Sequence, residues 1–212
     1  MAATLTDRLR EEILRSRFSP GERLVEQQLA EQYGESRAAV HIALIELEKE
    51  DLVVRTSNRG STVRRISLSE AIEISEARAA LEGLVAAQAA RHATKSERQE
   101  LLAIVKEMED AVERNLPWVY SECNSRFHRR LQDVSRHTIA SDLVRNLRNR
   151  GVTHQFQWAL APGRAHESLA EHARIVKAVA SGNEDEARAA MEAHLGAVIA
   201  TMRRYEELDI RL

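Results

Sequence analysis

Apolar residues recur with a helical period along most of the chain. Leu5, Leu9, Ile13 and Leu14 form one stripe in "LTDRLREEILRS", spaced for one face of a helix. Pro20-Gly21 breaks that pattern with a turn signal. Leu24, Leu29 and Tyr33 predict a second, short helix, closed by Gly34, a residue suited to the left-handed stop. A third opens at Ser36, turns Val40, Leu44 and Leu47 inward, and ends near Glu50-Asp51. Two helices joined by a short turn, with a supporting helix before them, make a helix-turn-helix arrangement.

The period changes at Leu52. In "LVVRTSNRGSTVRRI" β-branched residues flank Asn58-Arg59-Gly60, which predicts a hairpin. Arg55, Arg59, Arg64 and Arg65 fall between Leu52 and Ser69 with no acid among them. A basic hairpin after a helix-turn-helix is a wing suited to phosphates and the minor groove.

Beyond Ser67 the helical period returns and stays. Helices are predicted over about 69–92, 96–114, from Leu116-Pro117, then 138–160, 165–181 and 184–208. Ser96 with Gln99, and Asn183 with Glu186, have the spacing of capping boxes. The expected fold is mainly α: a winged helix-turn-helix with a small β-hairpin over 1–66, then an all-α six-helix bundle over 67–212.

Composition narrows the function. The net charge is −2, so a nucleic-acid site has to be local rather than spread over the chain. The one cysteine, Cys123, excludes an internal disulfide and suits a reducing compartment. "MAATLTDRLREEIL" has no apolar signal-peptide core, and no run is long enough to span a bilayer. The expected location is cytoplasmic, with no membrane partner.

Two places carry chemistry. At the first, Ser36 and Arg37 stand at a helix N-terminus, where free N–H groups and a partial positive charge attract phosphate. Arginine there can also read a guanine. The plain alternative is a serine cap and a solvated arginine; the wing that follows favours DNA. At the second, His128, His172 and His194 each occupy an apolar-stripe position on a different helix, and Asn124 precedes His128 by one turn. Helical bundles build metal sites from such inward side chains, but buried histidines also serve as hydrogen-bonded core residues, and the pattern alone leaves both open. Arg78 also points inward, between Ile74 and Leu81. It needs a partner: Glu82 four residues on, or a carboxylate ligand. There is no H-E-x-x-H, P-loop or G-x-G-x-x-G sequence.

"FSPGERLVEQQLAEQYGESRAAVHIALIELEKEDLV…NRGSTV" resembles the winged helix-turn-helix of GntR-type transcriptional regulators. "NSRFHRRL" and "EHARIVKAVASGNEDEARAAMEAHL" resemble the FCD ligand-binding domain of the FadR branch, VanR-like subgroup. The resemblance implies a homodimer on a pseudo-palindromic DNA operator, with contacts from Gln27, Ser36, Arg37, Ala38, His41, Arg59 and Gly60. It places Asn124, His128, His172 and His194 at the family's metal-ligand positions and Arg78 at an effector-binding arginine. The implied cofactor is a divalent transition metal, Zn or Ni before Mg given the imidazole donors, and the implied effector a small carboxylate metabolite. The chain departs from the pattern at Gln27 and His41, where arginine is usual, at Ala39 (proline), at Asp51 (glycine) and at Asn124 (aspartate). An amide binds metal more weakly than a carboxylate, so a site emptied on purification is compatible with this set. A metal-responsive regulator, with the ion itself as signal, and a three-histidine metalloenzyme are the alternatives; the enzyme lacks a placed general base.

Overall fold

The computed structural model describes residues 4–14, 17–56, 60–159 and 163–207. The chain divides into two compact units, 1–67 with 148–153, and 68–147 with 154–212.

The first unit contains α1 (Leu5–Leu14), β1 (Arg23–Leu24), α2 (Glu26–Tyr33), α3 (Arg37–Lys49), β2 (Val53–Thr56) and β3 (Gly60–Val63). Leu9 and Ile13 of α1 pack with Leu29, Val40, Leu44, Leu47, Val53 and Val63. Gly34 takes the left-handed conformation that ends α2, with φ 68°. Ser36 then caps α3, its Oγ accepting from Ala39 N at 3.1 Å. The end of α3 is a Schellman motif: Leu52 N–H donates to Leu47 O, and Asp51 N–H to Glu48 O, both at 3.0 Å. Asp51 occupies the left-handed position, φ 58°, at a steric cost that glycine would avoid.

The hairpin pairs Val53 with Val63 and Thr56 with Gly60. It also acquires a third strand that the hydrophobic pattern did not predict. Arg23 and Leu24 pair with Thr62 and Ser61, giving the antiparallel order β1-β3-β2. A two-residue strand has no periodicity of its own and forms because the free edge of β3 needs partners.

Residues 68–207 form six helices among the described residues: α4 (Leu68–His92), α5 (Lys95–Glu113), α6 (Pro117–Ser135), α7 (Thr138–Ala159), α8 (Arg164–Ser181) and α9 (Glu184–Glu207); residues 148–153 of α7 group with the first unit and the rest with the second. Long α4 packs along α9 and also against α6 and α8. A Cβ at Gly83 of α4 would lie 2.9 Å from Oε1 of Glu192 on α9, the end of a flexible side chain that can turn aside. Phe127, Leu101, Met108, Leu131, Ile175 and Met191 fill the bundle core.

Two caps differ from expectation. Helix α5 is capped by Thr94 with Glu97, not by Ser96 with Gln99. Glu97 accepts from Thr94 N at 3.0 Å, and a carboxylate suits a helix N-terminus better than an amide. At α9, Asn183 Oδ1 accepts from Glu186 N at 3.1 Å, but the Glu186 carboxylate turns to Arg174 instead of closing the box.

Candidate functional sites

The exposed face of α3 is the first site. Arg37 and Ala38 are exposed, His41 partly so, and Ile42 is 60% exposed although it is a large apolar residue. Glu26 of α2 stands over this face. Its Oε1 lies 2.7 Å from His41 Nδ1 and its Oε2 3.9 Å from Arg37. A carboxylate only accepts, so His41 Nδ1 carries the proton. Gln27 donates to Glu31 at 2.7 Å and remains exposed. Gly60 opens β3 with φ 85°, a conformation that disfavours any side chain.

The wing is less free than its arginine count suggested. Arg55 lies 3.7 Å from Glu48, and Arg65 donates from Nε to Pro20 O at 2.9 Å. Arg59 lies outside the described residues. Arg23, on the third strand beside Gly60, is exposed and is a cation that sequence reasoning missed.

The second site lies inside the bundle. His128 from α6, His172 from α8 and His194 from α9 converge, with one ligand atom of each within 4.8 Å of the others, and all three are buried. Phe127 supports them edge-on, its ring 5.7 Å from His128 and 5.0 Å from His172. Each Nδ1 is committed: His128 to Glu82 Oε2 at 2.8 Å, His172 to Ser168 O at 2.6 Å, and His194 to Glu171 Oε2 at 2.6 Å. These partners accept, so each Nδ1 donates, and in the neutral ring Nε2 carries the lone pair. Nε2 of His128 and Nε2 of His172 lie 3.4 Å apart. Burial, with His194 and His128 nearby, holds the His172 pKa well below its usual value, so that ring is neutral. Asn124, one turn before His128, has a buried Oδ1 with no hydrogen-bond partner.

The acceptors are themselves oriented. Arg78 donates to Glu82 at 2.8 Å, both side chains nearly fully buried. This is the intrahelical pair that the spacing of 78 and 82 allowed. Arg164 grips Glu171 through two bonds, at 3.0 and 2.8 Å. Burial raises the Glu171 pKa, but hydrogen bonds from His194 and Arg164 outweigh it and leave the carboxyl below its usual range. Tyr120 is also buried. Burial pushes its pKa up to about 12, opposed by the nearby Ser168 hydroxyl.

Such a set fits a metal ion. Three imidazole lone pairs, each ring fixed through its other nitrogen, match the first and second shells of zinc-type sites. The orphaned Asn124 oxygen is an available fourth donor. Glu171, Arg164, Ser168 and Tyr120 were not identified from sequence, and Glu82 was read only as a partner for Arg78, not for His128. One signal was present: Tyr120, Asn124 and His128 repeat at four-residue intervals, as do Arg78 with Glu82 and Ser168 with His172.

Family models agree with both halves. The family described as "Bacterial regulatory proteins, gntR family" matches residues 1–63, and the "FCD domain" matches 73–197. The chain belongs to the GntR family and carries an FCD domain. This GntR-family regulator is 27% identical over 202 residues to the HTH-type transcriptional repressor RspR of Escherichia coli K12, covering 94% of this chain and 87% of RspR. It is 29% identical over 181 residues to the Nta operon transcriptional regulator of Aminobacter aminovorans, covering 84% and 83%. Its fold matches the solved structure of E. coli McbR/YncC with a TM-score of 0.82 at 21% identity, over 95% and 96% of the chains. No helix among the described residues of the GntR-family chain is long and apolar enough to cross a membrane.

Proposed function

We propose that this regulator binds a pseudo-palindromic operator as a homodimer, and that a divalent transition metal with a small carboxylate metabolite in the bundle modulates operator affinity. His128, His172, His194 and Asn124 hold the metal, zinc or nickel before magnesium because imidazole suits those ions. The observation that carries the reading is the convergence of three histidines whose Nδ1 atoms are all committed. The ion would supply a positive centre for the carboxylate; the protein supplies orientation and excludes water. The chain acts as a binding protein and not as an enzyme.

On DNA, α3 enters the major groove. Ser36 and the free N–H groups beside it meet phosphate, and Arg37 reads a base or its phosphate. Ala38 and His41 line the same face, Ile42 offers an apolar surface to a thymine methyl, and Gln27 approaches from α2. Arg59 and Gly60 belong to the wing, with Arg23 alongside. Effector binding changes operator affinity only if the two conformational states bind effector unequally.

Fluorescence anisotropy on the chain's own upstream intergenic DNA, against a shuffled duplex at two salt concentrations, tests this. Preferential binding that weakens with salt, is lost in Arg37→Ala, and changes when metal and carboxylate are added is the expected result. Operator affinity indifferent to every metal and carboxylate that binds the bundle would overturn the regulatory reading.

A further inference from the structure

His41 lies one turn after Arg37 on α3, with its side chain 45% exposed. Glu26, the first residue of α2, meets its Nδ1 at 2.7 Å. A helix N-terminus favours a carboxylate, and a carboxylate accepts but cannot donate. The bond therefore fixes a tautomer as well as a ring orientation: in the neutral ring the proton sits on Nδ1 and the lone pair on Nε2. Nδ1 faces α2, while Nε2 has no hydrogen-bond partner among the described residues. Arg37 lies farther from Glu26, at 3.9 Å, and its side chain is 67% exposed. One face of α3 thus offers a donor, Arg37, and one turn on an acceptor, Nε2 of His41.

The two read opposite chemistry. In the major groove guanine presents acceptors and thymine an acceptor and a methyl group, whereas adenine and cytosine each present an exocyclic amino group. Only the last two give an acceptor a partner. Against guanine or thymine, lone pairs meet and both groups lose water without compensation.

We propose that His41 is a specificity-determining residue for the operator, its Nε2 accepting from the exocyclic amino group of adenine or cytosine, and that Glu26 is the positioning residue that keeps it an acceptor. The inference rests on the operator reading above and adds which bases α3 selects. Without Glu26 the ring exchanges tautomers, and an Nε2–H would donate to guanine or thymine as readily.

The test is fluorescence anisotropy at pH 8, where imidazole is neutral, on every single-base variant of the footprinted operator. In the wild type, one position per half-site should prefer adenine or cytosine over guanine and thymine by about three- to tenfold, and the variant set separates the two amino bases. His41→Arg, which only donates, should move that position to guanine and leave the others unchanged. Glu26→Gln, whose amide can hold either tautomer, should erase most of the discrimination. Circular dichroism establishes that both variants are folded. A guanine or thymine preference in the wild type at the position that His41→Arg alters, or a uniform change across all operator variants, would overturn the readout and leave operator binding intact. Full discrimination in Glu26→Gln would overturn the part given to Glu26. A wild type that binds the operator no better than a shuffled duplex would overturn the operator reading and this inference with it.

Discussion

His128 and His172 meet Nε2 to Nε2 at 3.4 Å, with Nδ1 of one on Glu82 and of the other on the Ser168 carbonyl. With both Nδ1 atoms donating, two lone pairs face each other across this gap. That arrangement is unfavourable in a dry interior unless a cation sits between the rings.

Metal should therefore stabilise the bundle. With free Zn²⁺ at a hundredfold excess over its dissociation constant, the gain is about 2.7 kcal/mol. Calorimetric melting should show a higher midpoint, reversed by chelator. His194→Gln should lose most of the gain; an unchanged midpoint in the wild type would count against the site.

Glu82→Gln should destabilise the second unit. Arg78 would keep its buried charge and lose its counter-charge, a change that costs about 3–5 kcal/mol. Urea unfolding followed by circular dichroism measures it. Zinc affinity should also fall, by about 10- to 100-fold, because the amide no longer fixes His128 as a carboxylate does.

On the DNA face, Arg37→Ala should weaken operator binding by about 1–3 kcal/mol. Ile42→Ala should change base preference while leaving the melting temperature in place, because the side chain is 60% exposed. Anisotropy on single-base operator variants separates the two. A uniform loss across all sequences in Ile42→Ala would exclude a thymine-methyl contact.

Acid should loosen the start of α5. Hydrogen bonds from Thr94 and Arg136 lower the Glu97 pKa from 4.5 to about 2. A lowered folded-state value means the contribution is fully present above the unfolded value and is lost as pH falls through about 2. Stability should decline across that window, and Glu97→Gln should flatten the decline. Equal slopes in the two proteins would show that Glu97 carries none of it.

Much of this was legible locally. The six bundle helices, the helix-turn-helix and the hairpin follow from apolar period, Gly34, Ser36 and Pro117, because helix and strand periods depend on near neighbours. Even the histidine positions were visible, since each replaces an apolar residue in a stripe. What local pattern could not rank was two overlapping caps: Thr94 and Ser96 both have a partner three residues on, and the choice between them depends on where the chain enters α5.

The sequence by itself determined which faces are apolar, where the helices start and stop, and that three histidines and one asparagine face inward. Tertiary structure decided that α6, α8 and α9 bring those histidines within reach of one ion, that Glu82 and Glu171 take their outer nitrogens, and that Arg23 joins β3 as an edge strand. The reason is physical. Periodicity assigns a side chain to a face of its own helix, whereas meeting a residue 44 or more positions away, as His172 meets His128, depends on how whole helices pack.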